Sequence, residues 1–229
     1  MKIAQKNLIL DCDGVLYPLA ELPTMRIVEA MKDVYRHELN LSGEQQQQIS
    51  QKTIQEQHLG MFNYVREMCR ATGYDFDTFC RQMSTRIDYN TIKPNPSLWN
   101  MLQNARNRYN IAVWSNGCRD HLDHVFERVF GKDVAAVERN GIPVFDITLL
   151  EKDGYFMPKQ SQEGFGIFLR KTGFKAEESI LFDDTARNLI QAKKYGVSGV
   201  LVSDDKPLES LLRPYLGTQQ LKVNTYEKD

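Results

Sequence analysis

Several polar groups able to bind a cation or an anion come directly after apolar runs in this 229-residue sequence. They are the carboxylates of Asp11, Asp13, Asp183 and Asp184, the hydroxyl of Ser115, the amide of Asn116 and the free backbone of Gly117. Carboxylates gathered in one place repel one another unless a cation joins them, and oxygen ligands suit Mg²⁺. Lys159 precedes a predicted helix and, with Ser115, could neutralise a phosphate. The pattern therefore predicts phosphate chemistry assisted by magnesium.

The apolar runs that precede these residues have the form of strands buried on both faces of a parallel sheet. Leu8–Leu10, Ile111–Trp114 and Ile180–Phe182 are continuous rather than alternating, and a further run follows at Val200–Val202. Helical patterns separate the later runs, and such alternation implies right-handed crossovers. We predict an α/β fold, a doubly wound parallel sheet with a Rossmann-like core, with the polar residues in the crevice at its carboxyl edge. Residues 134–157 are less regular and predict short strands and loops.

The stretch between the first two strands reads as one helix after another. Its first helix carries Met25 and Met31 at helical spacing, and Ser42 with a glutamine three residues later predicts a capping box. That box opens a polar helix that runs to about His58, and the prolines after Lys93 end the helical block. We predict an inserted all-helical cap domain packed as a small bundle. The expected domains are a helical cap at 18–93 and a catalytic core at 1–17 plus 94–229.

Composition and charge exclude several other classes of protein. Lys plus Arg number 29 and Asp plus Glu number 30, a net charge of −1 that gives no electrostatic case for nucleic acid or a polybasic membrane partner. The four cysteines have no CxxC spacing, and we interpret them as reduced structural thiols. The first apolar stretch is too short for a signal peptide, and nothing approaches the roughly 18 apolar residues of a spanning helix. We expect a cytoplasmic protein, whose oligomeric state the sequence leaves open.

Four motifs in this order resemble those of the haloacid dehalogenase-like hydrolases. They are the run from Leu8 to Tyr17, the run from Val113 to Asn116, Lys159, and the run from Ile180 to Asn188. The helical insert stands where that superfamily places its type-1 helical cap. The Asp-x-Asp-x-x-Leu-Tyr opening resembles more narrowly the pyrimidine 5′-nucleotidase-like branch. So do Ile87-Asp88-Tyr89 ahead of Lys93 and a His121 that follows Gly117.

The resemblance implies catalysis through an aspartyl-phosphate. Asp11 would be the nucleophile, and Asp13 the acid that protonates the leaving oxygen and then the base that activates water. The role as acid needs an Asp13 that stays partly protonated near a cation. Mg²⁺ would be held by Asp11, Asp183 and the main-chain carbonyl of Asp13, with Asp184 in support. The phosphoryl oxygens would be bound by Ser115, Asn116, Gly117 and Lys159.

The implied activity is a Mg²⁺-dependent phosphomonoesterase acting on a small phosphorylated metabolite, with a pyrimidine nucleoside 5′-monophosphate as the first candidate. A phosphosugar phosphatase or a phosphomutase uses the same motifs, because the cap decides whether water reaches the intermediate. Gly14 and Val15 depart from the usual first motif in a way also seen in sugar-phosphate branches. Lys159 follows Pro158 instead of preceding a proline. A non-catalytic binding module is the alternative outside enzymology, since fold alone does not fix function.

Overall fold

A five-stranded parallel sheet forms the centre of the computed structural model, which describes residues 6–55, 60–161 and 163–216. Along the sheet the order is third, second, first, sixth and seventh strand, while the fourth and fifth pair as a separate antiparallel hairpin. The strands are β1 (Asn7–Leu10), β2 (Asn110–Trp114), β3 (Val144–Phe145), β4 (Glu151–Lys152), β5 (Tyr155–Phe156), β6 (Ser179–Asp183) and β7 (Ser198–Leu201).

Helices cover both faces of this sheet. They are α1 (Thr24–His37), α2 (Gly43–Gln55), α3 (Met61–Thr72), α4 (Phe76–Ser84), α5 (Pro96–Ala105), α6 (Arg119–Phe130), α7 (Val134–Arg139), α8 (Gly164–Thr172), α9 (Ala186–Lys194) and α10 (Leu208–Leu216). Leu8 and Leu10 of β1 lie in one apolar core with α5, α6 and α10, whereas Ile9 lies in another with α8 and α9. This alternation follows from the two-residue period of a strand. The predicted doubly wound α/β fold is therefore confirmed.

The block between β1 and α5 is helical, and its helices contact one another. The α1 and α4 helices pack together, as do α2 with α3 and α3 with α4. The predicted capping box is confirmed, because the Ser42 hydroxyl accepts from the Gln45 N–H at 3.2 Å and the Gln45 amide oxygen accepts from the Ser42 N–H at 2.9 Å. The predicted end of that helix near His58 lies outside the described residues.

Met25 is 58% exposed, so the predicted apolar face of α1 is wrong there. The buried face begins two residues later, at Ile27.

Residues 134–157 contain more regular structure than the sequence predicts. The short strands are present, and β3 extends the main sheet beside β2. The prediction missed α7, whose six residues are too few to show a helical period and which Asp133 caps through the N–H of Ala136.

The sequence also placed the last strand too late, since β7 ends at Leu201 and Val202 lies beyond it. The described helices are all too short or too polar to span a lipid bilayer.

The hairpin of β4 and β5 fastens the helical insert to the sheet domain. The side-chain amide of Asn63 in α3 donates to the carbonyl of Phe156 at 2.8 Å and accepts from its N–H at 2.8 Å. Beside this pair, Arg66 forms a 3.0 Å ion pair with Glu151, and its guanidinium lies 4.4 Å from the centroid of the Phe156 ring. Asn63 is buried, so both bonds are shielded from water. The hairpin within residues 134–157 thus supplies one of the contacts between insert and core, beside the packing of α4 on α6.

Candidate active site

The register of the sheet brings the polar residues of three strands to one edge. Leu10 lies opposite Val113 on one side and opposite Phe182 on the other. The residues that follow these positions are therefore neighbours, and the N–H of Asp11 donates to the carbonyl of Phe182 at 2.9 Å. The predicted convergence at the carboxyl ends of the strands is present.

Carboxylates and one buried lysine form the base of the site. Oxygens of Asp11, Asp183 and Asp184 lie within 4.8 Å of one another. Lys159 is fully buried, and its ammonium lies 2.6 Å from Asp11 Oδ2 and 2.9 Å from Asp183 Oδ2. Burial and the charge of Asp183 raise the pKa of Asp11 well above its usual range, against the opposing effect of Lys159. We call the following side chains the charged floor: Asp11, Asp13, Lys159, Asp183 and Asp184.

Hydrogen bonds hold the lysine and its partner in place. The Asp183 Oδ1 atom accepts from the N–H of Thr185 and from the side-chain amide of Asn188, both at 2.9 Å. The side chain of Asn116 accepts from the N–H of Lys159 at 3.0 Å and donates to Gln160 at 3.2 Å. These contacts fix the lysine loop although no proline follows Lys159. The amide of Asn116 is thus engaged with that loop, and its role as a phosphate donor stays a prediction.

Ser115 and Gly117 form a tight turn beside the floor. The buried Ser115 hydroxyl accepts from the N–H of Gly117 at 2.9 Å. A Cβ atom added at Gly117 would lie 3.1 Å from a ring carbon of His121 and 3.2 Å from Ser115 Oγ. Only glycine leaves this turn undisturbed. The turn places the Ser115 hydroxyl within the predicted anion site, whereas the N–H of Gly117 is engaged with that hydroxyl, so the role of Gly117 in binding phosphate stays a prediction.

Asp13 is held by Tyr17 and His121, and Tyr89 in turn holds His121; the sequence interpretation paired none of these residues with Asp13. The Tyr17 hydroxyl donates to Asp13 Oδ1 at 2.5 Å, and His121 Nε2 lies 2.8 Å from the same oxygen. The other ring nitrogen of His121 lies 2.9 Å from the hydroxyl of Tyr89. Tyr17 belongs to the first motif, and His121 and Tyr89 belong to the narrower branch resemblance, so each carried a signal in the sequence.

The charges around Asp13 favour its ionised form. Burial raises the pKa of Asp13, but the neighbouring His121 charge and the bonds from His121 and Tyr17 lower it further, so the net pKa lies below the usual range. For His121, burial lowers the pKa while Asp13 raises it, and the net direction is upward. The partly protonated Asp13 that the resemblance requires is therefore not favoured by the protein alone.

The residues present fit a magnesium ion. The three-carboxylate group supplies only oxygen ligands, and Lys159 alone cannot balance its charge. Mg²⁺ prefers one or two carboxylates and keeps room for water and phosphate oxygens. The Asp13 carboxylate is not part of this three-carboxylate group. The contact predicted for Asp13 is made by its main-chain carbonyl, and that contact stays a prediction.

The insert lies over the floor and leaves a cavity of about 200 Å³ between them. Its charged and polar lining comes from the strand ends, including Asp11, Asp13 and Asp184. The opposite side comes from the insert, and its large side chains are apolar. We call the following residues the apolar wall: Leu19, Ile27, Met61, Phe62 and Met83.

Several solved structures have a fold similar to that of this chain. The HAD family enzyme bt-2542 from Bacteroides thetaiotaomicron, solved with magnesium and inorganic phosphate, has a TM-score of 0.55 and 19% identity over 92% of this chain and 100% of that chain. A predicted HAD-like family hydrolase from Porphyromonas gingivalis has a TM-score of 0.58 and 15% identity over 94% and 99%. CbbY from Rhodobacter sphaeroides, solved with phosphate, has a TM-score of 0.54 and 15% identity over 89% and 88%.

No family model and no curated protein matches the sequence. The likeness of structure nevertheless extends over nearly the whole of this chain and of the solved chains, helical insert included. The chain therefore has the haloacid dehalogenase-like fold, an α/β core that carries a helical cap.

Proposed function

We propose that this protein is a Mg²⁺-dependent phosphomonoesterase that hydrolyses a small phosphorylated metabolite through an aspartyl-phosphate. One observation carries the proposal: Asp11 lies 2.6 Å from a fully buried lysine and within a three-carboxylate group, at the base of a covered cavity. Such a group is rarely left in a protein interior without a compensating ligand. The magnesium and phosphate in the solved Bacteroides enzyme support the same assignment.

Asp11 is the proposed nucleophile. A bond forms between its carboxylate oxygen and phosphorus while the bond from phosphorus to the leaving oxygen breaks. Lys159 and Ser115 hold the phosphoryl oxygens, and Lys159 keeps Asp11 oriented through their 2.6 Å contact. Mg²⁺, held by Asp11, Asp183 and Asp184 when bound, supplies further stabilisation of the phosphoryl charge.

Asp13 is the proposed proton carrier. It gives a proton to the leaving oxygen, and in the second half of the reaction it takes one from the water that attacks phosphorus and releases Asp11. Tyr17 and His121 orient this carboxylate through their bonds to Oδ1. A phosphate placed beside Asp13 adds negative charge, which raises its proton affinity above that of the protein alone.

The helical insert, residues 18–93, is proposed as a cap on a core formed by 1–17 and 94–229. Its contribution to the cavity lining supports this division. A covered cavity excludes bulk water from the phosphate and suits a small substrate better than a protein. We place this activity in the cytoplasm, without a nucleic-acid or membrane partner.

The pyrimidine nucleoside 5′-monophosphate that the sequence resemblance suggests is the proposed substrate within this class. Phosphosugar hydrolysis and phosphomutase activity use the same floor, and the substrate panel below separates them. A dependence on a bisphosphorylated sugar would mark the mutase.

The test is phosphate release with Mg²⁺ from nucleoside monophosphates and sugar phosphates. We expect Asp11→Asn to lower release at least about 1,000-fold while folding is retained, because the amide is a poor nucleophile. Asp205→Asn, at an exposed position, is the matched control and should keep the wild-type rate. Removal of Mg²⁺ with a chelator should stop release, and its return should restore it. Release by Asp11→Asn at the wild-type rate would overturn the proposal, and binding of phosphate esters without release would favour a binding module.

A further inference from the structure

The two sides of the active-site cavity differ in charge. The core contributes the carboxylates of the charged floor. The insert contributes the apolar wall and the hydroxyl of Thr24, and none of the described residues that it places on the lining is a lysine, an arginine or a histidine. Any group of the substrate that projects from the phosphate toward the described part of this wall therefore meets uncharged side chains.

The cationic groups of the site are already committed to the floor. Lys159 is buried between Asp11 and Asp183, at 2.6 Å and 2.9 Å. His121 faces Asp13 through one ring nitrogen and Tyr89 through the other. A second anionic group on the substrate would find none of these cations free. It would also lose its hydration against apolar side chains, and burying an unpaired charge in this way is costly.

We propose that the phosphate is the only charged group of the substrate, and that the remainder is an uncharged organic group packed against Ile27, Phe62 and Met83. This inference rests on the proposed function and narrows it. Neutral nucleosides and neutral sugars belong to this class. Bisphosphorylated sugars, on which a phosphomutase would depend, and phosphorylated carboxylic acids do not.

The wall offers positions where a charge can be added with little risk to folding. Met61 is the first residue of α3 and is 40% exposed although it lines the cavity. Thr24 is the first residue of α1, is exposed and also lines the cavity. A lysine at either site can place its ammonium toward the cavity while its stem covers apolar surface. Met83 is fully buried, and replacing it with lysine would by contrast disturb the core.

The experiment compares substrates that differ only in a second charge. Glycerol 3-phosphate is paired with 3-phosphoglycerate, and glucose 6-phosphate with glucose 1,6-bisphosphate, each assayed for phosphate release with Mg²⁺. p-Nitrophenyl phosphate reports the phosphatase chemistry by itself. We expect kcat/KM for the neutral member of each pair to exceed that of its anionic partner at least tenfold, about 1.4 kcal/mol. An anionic partner used equally well or better would overturn the inference.

Charge variants of the wall complete the test. Met61→Lys and Thr24→Lys should each lower the neutral-to-anionic ratio at least threefold, mainly through KM of the anionic substrate. Met61→Gln, polar but uncharged, is the matched control and should keep the wild-type ratio. A ratio that stays unchanged in both lysine variants would overturn the assignment of selectivity to the wall.

These results separate the inference from the function on which it rests. Release from p-nitrophenyl phosphate that depends on Asp11, without discrimination between the pairs, overturns only the inference. Absence of release from every substrate, p-nitrophenyl phosphate included, overturns both.

Discussion

The charged floor and the apolar wall enclose the same cavity but are built in opposite ways. Each floor carboxylate lies at or just beyond the carboxyl end of β1 or β6 and is held by hydrogen bonds or ion pairs. The wall comes from α1, α3, α4 and the link before them, whose side chains only pack. In the proposed function this difference separates chemistry from selectivity: the floor binds and transfers the phosphoryl group, and the wall selects what is attached to it.

The two regions also differ in how they are anchored. The floor belongs to the sheet, whereas the wall belongs to an insert joined to the core by its chain connections, by packing of α4 on α6 and by the hairpin of β4 and β5. Asn63 makes the attachment to the hairpin through both polar groups of Phe156. A change in the floor should therefore affect catalysis first, and a change in the attachment should affect the insert while the floor keeps its geometry.

The largest effect is expected from removing the cation of the floor. Lys159→Met leaves the carboxylates of Asp11 and Asp183 buried without their partner. We expect undetectable phosphate release and a free energy of unfolding lower by about 3–5 kcal/mol, measured by urea denaturation. Lys171→Met, an exposed lysine of α8, is the matched control and should change neither quantity. Full activity in Lys159→Met would show that the floor does not need its lysine.

A smaller effect on the floor is expected at Gly14. Its φ is +71°, and a Cβ there would lie 2.7 Å from Asp184 Oδ2. Gly14→Ala should displace Asp184 and raise the Mg²⁺ concentration needed for half-maximal release about tenfold. The φ value alone should cost about 1–2 kcal/mol of stability.

Gly131→Ala is the control that separates strain from displacement. Gly131 has a φ of +65°, but nothing lies within 4 Å of an added Cβ. This variant should lose similar stability and keep the wild-type Mg²⁺ dependence. An equal Mg²⁺ shift in both glycine variants would contradict the contact with Asp184 as the cause.

The smallest effect on chemistry is expected from the attachment of the wall. Asn63→Ala leaves the N–H and carbonyl of Phe156 without their side-chain partner, which should lower the free energy of unfolding by about 1–3 kcal/mol. Because the floor is untouched, the rate of release from p-nitrophenyl phosphate and its Mg²⁺ requirement should change less than the Mg²⁺ requirement changes in Gly14→Ala. Asn104→Ala, at an exposed helical position, is the control. A loss of activity as large as in Lys159→Met would show that the attachment and the floor form one unit.

The sequence was most informative about the floor because its signals are local. An apolar run that stops at a carboxylate is visible within a few residues, and strands in a parallel sheet present their carboxyl ends together. The fold that brings Asp11, Ser115 and Asp183 to one edge of the sheet is therefore confirmed, and their roles stay predictions. The same reasoning missed α7 and α10 and misjudged Met25, since short helices lack a clear period and the buried face of a helix depends on its neighbours.

The contacts that complete the site join residues too distant in sequence to be paired from it. His121 meets Asp13 across 108 positions, and Asn63 meets Phe156 across 93. Residue types and their spacing show which chemical groups the chain contains and which secondary structure carries them, because hydrophobic period and turn chemistry are local properties. Only the tertiary structure decides which of those groups touch, because that outcome depends on how the helical insert packs over the edge of the sheet. The sequence by itself thus determined which polar groups stand at the edge of the sheet, and the packing of the insert decided that apolar side chains lie over them.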